Sequence, residues 1–161
     1  MLFMGQEILE ATPWTDDVRG NILSWDHLAA GNNVCADFLR FVRELLGIRR
    51  DQPALRGEPI NVHHVQNSNL VIAYHRWLEG VGRDVVVASL NEFDQFGYRV
   101  DMPQPGRWTE TFNSDVYDNW GNPDVVGNGG SVWADEPPFH GMPCSATTTI
   151  PANAVLVLVK S

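Results

Sequence analysis

The sequence has few basic residues: its 161 residues include 11 Lys and Arg against 20 Asp and Glu, a formal net charge of −9. Such a balance argues against a nucleic-acid partner or an anionic membrane surface. Long apolar runs are missing, and no stretch approaches the roughly 20 residues that cross a bilayer. The apolar residues 1–4 lack the basic segment of a secretory signal and meet Gly5 at once. These absences predict a soluble, cytoplasmic protein.

Cysteine is scarce as well. Cys35 and Cys144 lie far apart, without the close spacing of metal ligands. We interpret them as unpaired thiols, with a disulfide as the less favoured alternative. The remaining composition, 43% hydrophobic and 19% charged, is that of a globular chain. Its length allows one ordinary domain, or a small domain with an appendage.

One amphipathic helix is predicted over residues 33–50. Apolar side chains recur at three-to-four spacing from Val34 to Leu46, and Asn32 or Asn33 can cap the start. Pro53 prevents continuation. The pattern indicates a packing element, to which we assign no chemistry.

From about residue 58 the pattern changes to short period-two runs separated by turns, as in antiparallel sheets. Trp108 and Phe112, four residues apart in one run, are predicted to share a face. Residues 116–141, rich in Gly, Pro, Asn and Asp, are predicted to form a long surface loop. The strands are predicted at residues 60–66, 70–78, 85–91, 97–102, 107–113, 145–150 and 154–159. This pattern predicts a mainly β fold, an antiparallel Greek-key β-sandwich preceded by a helix.

Histidines provide the first candidate site, at His63, His64 and His75. His63 and His64 are neighbours on one strand and should point to opposite faces, so at most one can meet His75. Without a third ligand we predict no metal site and no cofactor. A cross-strand polar pair is the preferred interpretation.

Carboxylates are the next candidates, for glycosidic chemistry, which needs two carboxyl groups at a set separation. No spacing selects a pair among Glu7, Asp16, Asp17, Glu110 and Asp115. Ser114 and Ser145 lack the setting of a nucleophile elbow. The glycine-rich residues 127–130 lack the helix and basic residue of a phosphate-binding loop.

Tryptophan side chains can stack on sugar rings, and four were considered: Trp77, Trp108, Trp120 and Trp133. Each is more often a core residue than a binding platform. For Trp120, in the predicted loop, the two interpretations are evenly balanced. The residues alone therefore predict a fold without a complete catalytic constellation.

Several longer segments carry a more specific signal. They are MLFMGQE at 1–7, LGIRRDQPAL at 46–55, AYHRW at 73–77, DVVVASLNEF at 84–93, GRWTETFNSD at 106–115 and IPANAVLVL at 150–158. In this order they resemble α-1,4-glucan branching enzymes of the α-amylase superfamily. The resemblance implies that residues 1–56 are a remnant of the last strand and helix of a (β/α)8 barrel. Residues 57–161 would then be the C-terminal all-β sandwich domain.

The same resemblance implies a function and partners. The domain would support transfer of α-1,4-glucan segments to α-1,6 branch points in glycogen biosynthesis, within a glycosyltransferase. The family's catalytic carboxylates lie on barrel strands with no counterpart here, so no residue is assigned a catalytic role. The expected partners are an α-glucan, glycogen or starch-like, and the catalytic barrel. Residues expected to contact substrate are Gln6, Glu7, Trp14, Trp108 and Trp120. A stand-alone carbohydrate-binding module and a protein–protein interaction domain are the alternatives.

Overall fold

The computed structural model describes residues 5–13, 15–17, 22–29, 33–117 and 125–161. Its first part holds a short 3-10 turn (Gln6–Ile8), helix α1 (Asp26–Ala29), helix α2 (Asn33–Asp51) and a second 3-10 turn (Pro53–Arg56). The predicted helix is confirmed as α2 and runs one residue further. The barrel strand expected at residues 1–4 lies outside the described residues.

Eight strands follow in the described part of the chain. They are β1 (Ile60–Gln66), β2 (Val71–Leu78), β3 (Gly82–Ser89), β4 (Gln95–Met102), β5 (Gly106–Asn113), β6 (Ser131–Ala134), β7 (Cys144–Ile150) and β8 (Val155–Lys160). The short strand β6 falls within the segment predicted as a loop. Four residues are too few to show a period-two pattern, so this strand depends on its pairing with β5.

The strands form two antiparallel sheets. The large sheet has the order β1-β2-β3-β8-β5-β6, and β4 pairs with β7 in a small sheet. The last strand, β8, therefore lies between β3 and β5. This non-sequential order, with β4 and β7 in the opposite sheet, is typical of Greek-key sandwiches. The predicted antiparallel sandwich is confirmed.

The main core lies between the two sheets. Trp108 of β5 is its largest fully buried side chain, surrounded by small and branched apolar residues from six other strands. The Trp108 indole N–H donates to the Gln104 carbonyl oxygen at 3.0 Å, so its polar atom is satisfied inside the core. Hydrophobic burial holds the inner face of the large sheet against the inner face of the β4–β7 sheet.

A second apolar cluster lies on the outer face of the large sheet. Its buried members are Leu55, Val86, Phe112 and Val157, and Phe41 and Ile48 of α2 pack against them. The helix thus covers the large sheet on the side opposite the small sheet. The molecule has three layers: helix, large sheet and small sheet.

Trp108 and Phe112 belong to different layers, and the prediction that they share a face is wrong. The pairing of β5 with β8 shifts between Glu110 and Phe112, which leaves Thr111 as an extra residue. A β-bulge of this kind reverses the face of every later side chain on the strand. Trp108 consequently fills the inner core, while Phe112 packs toward α2.

Both cysteines are buried and unpaired, as predicted. The Cys144 thiol donates to the Met102 carbonyl oxygen at 3.3 Å, and burial raises its pKa. Within the described residues, no helix is long and apolar enough to span a membrane.

Candidate functional site

A cleft of about 710 Å³ opens beside α2, at the end of the sandwich where β5 ends and β8 begins. Its apolar wall comes from α2, where the Phe38 and Phe41 rings stack with centroids 5.7 Å apart. Tyr117 meets Phe41 edge to face at 5.2 Å. Leu9 brings the N-terminal segment into the same cleft. The cleft is therefore predominantly apolar and aromatic.

Three polar side chains in or beside this cleft form hydrogen bonds within the protein's own turns. Asn113 Oδ1 accepts the Asp115 backbone N–H at 3.0 Å, which closes the turn predicted at residues 113–115. Asp115 Oδ2 accepts the Val126 N–H at 2.7 Å, and Ser114 Oγ accepts the Val155 N–H at 2.8 Å. These side-chain oxygens accept backbone hydrogen bonds and so hold the turns at this end of the sandwich.

Glu110, another carboxylate considered from the sequence, has a similar structural role. Its Oε2 accepts the Asn128 side-chain amide at 2.6 Å and the Asn128 backbone N–H at 3.2 Å. Asn128 also bonds both backbone groups of Thr149 on β7. Glu110 and Asn128 therefore join the glycine-rich segment to both sheets.

The residues expected to contact substrate are dispersed. Gln6 and Glu7 lie in the first 3-10 turn, anchored by the fully buried Ile8. Glu7 Oε2 accepts the Gly5 N–H at 3.1 Å. Trp14 and Trp120 lie outside the described residues. Trp108 has 0% exposure, so its ring offers no face for stacking on a sugar, and we do not retain that role.

A second cluster joins β1, β4 and the hairpin turn before β7. Asp101 of β4 is fully buried, and its two oxygens face two histidines of β1. Oδ2 lies 2.5 Å from His63 Nδ1, and Oδ1 lies 3.1 Å from His64 Nδ1. His140 Nδ1 lies 3.1 Å from His64 Nδ1. The His75 ring lies 5.2 Å from the His63 ring, between centroids.

The prediction that His63 and His64 point to opposite faces is therefore wrong. The β1–β2 pairing shifts between Val62 and His64, which makes His63 an inserted residue. At such a bulge, consecutive side chains can turn to the same side. Both imidazoles consequently reach Asp101, and His63 also meets His75.

Burial and the neighbouring side chains shift the pKa values of Asp101 and His75. Burial alone raises the pKa of Asp101, but hydrogen bonds from His63 and His64 outweigh it and hold that pKa below its ordinary range. Burial, followed by repulsion from His63 and Arg83, lowers the pKa of His75 to about 4. His75 is therefore neutral at pH 7.

The sequence prediction missed Asp101 and His140 because they lie 37 and 76 residues from His64. No local pattern links positions so far apart. His64, Asp101 and His140 offer three ligand atoms within 4.8 Å of one another, an arrangement that could hold a metal ion.

Comparisons with known proteins agree with this fold. Residues 61–161 match the family described as "Alpha amylase, C-terminal all-beta domain". The 1,4-alpha-glucan branching enzyme GlgB of Pseudomonas syringae pv. tomato is 34% identical over 163 residues, covering 98% of this chain and 21% of the relative. The enzyme of that name from Paraburkholderia xenovorans is 34% identical over 165 residues, with the same two coverages.

Solved structures show the same fold at low sequence identity. An alpha-amylase from H. orenii superposes with a TM-score of 0.51 at 18% identity, over 92% of this chain and 25% of that one. The cyclomaltodextrin glucanotransferase CldA gives a TM-score of 0.57 at 15% identity, over 99% of this chain and 28% of that one. The chain spans about a fifth of the length of the curated relatives named above.

Proposed function

Since the chain belongs to the alpha-amylase C-terminal all-beta domain family, we propose that it is the C-terminal part of a 1,4-alpha-glucan branching enzyme. The observation that carries the proposal is the extent of the match. Relatives named as branching enzymes align with 98% of the chain, which includes α2 as well as the sandwich. The reaction it would serve is transfer of α-1,4-glucan segments to α-1,6 branch points in glycogen.

In this proposal the chain holds the catalytic part in place and supplies no catalytic carboxylate. Glu110 and Asp115, the candidate carboxylates of the sandwich, accept hydrogen bonds from Asn128 and Val126. Both groups stabilise loops. Gln6 and Glu7 are the residues proposed to face glucan, because Gln6 is exposed and Glu7 is half-buried beside the buried anchor Ile8.

The proposed boundary lies near residue 57, with residues 1–56 closing the barrel and residues 57–161 forming the sandwich. Gly57 sits at the junction, where an added Cβ would lie 2.0 Å from the Trp77 carbonyl oxygen. Arg76 donates from Nη2 to the Gly57 carbonyl oxygen. These contacts fix the junction against β2. Together with the packing of Phe41 and Ile48, they support a rigid connection between the two parts.

A chimeric enzyme tests the proposal. The segment of the Pseudomonas syringae enzyme that aligns with this chain is replaced by this chain, and branching of amylose is measured. We expect the chimera to branch amylose and the isolated chain to show no turnover. A folded chimera without activity, or turnover by the chain alone, would contradict the proposal.

A carbohydrate-binding module is the second candidate function, and one observation favours it. Trp133 of β6 is 61% exposed, so its ring is open to solvent. Exposed tryptophans suit stacking on sugar rings. Titration of the chain with maltooligosaccharide, followed by tryptophan fluorescence, separates the two functions. A saturable change that Trp133→Ala abolishes would establish the binding module, and no saturable change would exclude Trp133 as a platform.

A further inference from the structure

Three ligand atoms converge where β1, β4 and the turn before β7 meet. His64 Nδ1 lies 3.1 Å from Asp101 Oδ1 and 3.1 Å from His140 Nδ1. The third side, from His140 Nδ1 to Asp101 Oδ1, measures 3.8 Å. A tetrahedral zinc ion with bonds of about 2.0–2.2 Å separates its ligand atoms by about 3.3–3.6 Å. We propose that His64, Asp101 and His140 bind one Zn²⁺ ion.

The surrounding groups orient these ligands in the manner of known zinc sites. His64 Nε2 lies 2.8 Å from the Tyr98 hydroxyl, which holds the ring with Nδ1 directed toward Asp101 and His140. The second oxygen of Asp101 accepts from His63 Nδ1 at 2.5 Å. Such outer contacts fix the tautomer and direction of each ligand. His63 and Tyr98 are therefore positioning residues.

A tight turn delivers His140 to the site. Phe139 and Met142 pair across the turn, and His140 has a φ of 44° and Gly141 a φ of 82°. A positive φ is uncommon for a residue other than glycine and costs backbone strain. The Phe139 ring stacks on the imidazole with centroids 3.8 Å apart, which restricts its orientation. The turn is thus built to present this ring.

The donor set selects the class of metal. Two imidazole nitrogens and one carboxylate oxygen suit Zn²⁺ and other divalent transition-metal ions, whereas Ca²⁺ and Mg²⁺ prefer oxygen ligands alone. The Asp101 carboxylate supplies the negative charge. A neutral His64 would bind through Nδ1 after its proton has moved, through solvent, to Nε2, which then donates to the Tyr98 hydroxyl. The His140 side chain is 44% exposed, so water can complete the coordination. The ion would join three segments that are distant in sequence and stabilise the sandwich.

Binding is tested on the full, untagged chain after treatment with a chelator. Titration with ZnCl₂ alone, followed by calorimetry, is expected to show one ion per chain, and the Tm is expected to rise with zinc concentration. Co²⁺ is expected to give the intense visible absorption of a tetrahedral site. Absence of saturable zinc binding would overturn the proposal and leave a hydrogen-bonded histidine cluster.

Two variants in the same turn locate the site. His140→Asn removes the imidazole and keeps a residue type that tolerates positive φ. It is expected to bind zinc at least about tenfold more weakly and to lose the cobalt spectrum. Met142→Leu, the matched control, should leave both unchanged. Equal zinc affinity of the His140→Asn variant and the parent chain would overturn the assignment, and this result is independent of any branching activity.

Discussion

Phe41 of helix α2 and Phe112 of strand β5 lie with their ring centroids 5.9 Å apart and their planes tilted by 49°. This pair connects the helical layer to the outer face of the large sheet. Tyr117 meets both rings, at 5.2 Å from Phe41 and 6.1 Å from Phe112. The three rings therefore form one of the contacts that hold the N-terminal part of the chain against the sandwich.

Removing either phenylalanine ring should weaken this contact. Phe112→Ala is expected to lower the free energy of unfolding by about 3–5 kcal/mol, because the ring is buried. Phe41→Ala should cost less, and a double-mutant cycle should give a coupling of about 0.5–1.5 kcal/mol. Urea denaturation measures all three variants. Phe96→Ala is the control, since its ring is 72% exposed and should cost little. Strict additivity of the two substitutions would contradict the proposed contact.

Two glycine substitutions should have opposite effects. Gly57→Ala places a Cβ 2.0 Å from the Trp77 carbonyl oxygen, and backbone must move to accept it. We expect a loss of about 1–3 kcal/mol in the free energy of unfolding. Gly47→Ala, within α2, meets no atom within 4 Å and should gain about 0.5–1 kcal/mol from helix propensity. Thermal denaturation of both variants measures these changes: Tm should fall for Gly57→Ala and rise for Gly47→Ala. A neutral Gly57→Ala would show that the junction is loosely packed.

The free energy of unfolding should fall as pH rises, because the buried Asp84 carboxyl of β3 must then ionise in the folded protein. Burial raises the pKa of this carboxyl to about 6, although the Leu55 backbone N–H donates to it. Arg76 lies opposite in register, but its guanidinium donates to the Gly57 carbonyl oxygen. The folded state therefore binds a proton more tightly than the unfolded state. The contribution of Asp84 to stability is full below about pH 4 and falls as pH rises to about 6.

Asp84→Asn is expected to remove this dependence and stabilise the protein at pH 7 by up to about 3 kcal/mol. Urea denaturation of variant and parent between pH 4 and pH 8 measures the difference. Asp135→Asn, at an exposed position, is the control and should give parallel curves. A difference that does not change with pH would show that Asp84 is ionised in the folded protein at acidic pH.

The hydrogen bond that the Asn128 side-chain amide donates to Glu110 should contribute to stability. Asn128→Asp replaces an N–H donor with a second carboxylate 2.6 Å from Glu110 Oε2. We expect a loss of about 1–3 kcal/mol at pH 7, since two half-buried carboxylate acceptors would face each other without a donor between them. Adding Glu110→Gln restores a donor and should recover part of this loss. Asn153→Asp, at an exposed position, is the matched control. Recovery is measured by denaturation, and its absence would mean that Asn128 acts mainly through Thr149.

Local chemistry in the sequence determined the helix, the positions of every described strand except β6, and the relationship to a known family. The apolar repeat of α2 needs no distant partner to be recognised, because it follows from the geometry of the helix itself. The turn at Asn113 is of the same kind, since its side chain bonds a backbone group two residues away.

Tertiary pairing decided which face each side chain occupies. The bulges at His63 and Thr111 depend on the partner strand, and each redirects the side chains that follow. Trp108 is consequently buried in the inner core, and Phe112 faces the helix. The meeting of His64, Asp101 and His140 also arises only when three distant segments fold together. Their separation along the chain is the physical reason that the sequence alone did not reveal this cluster.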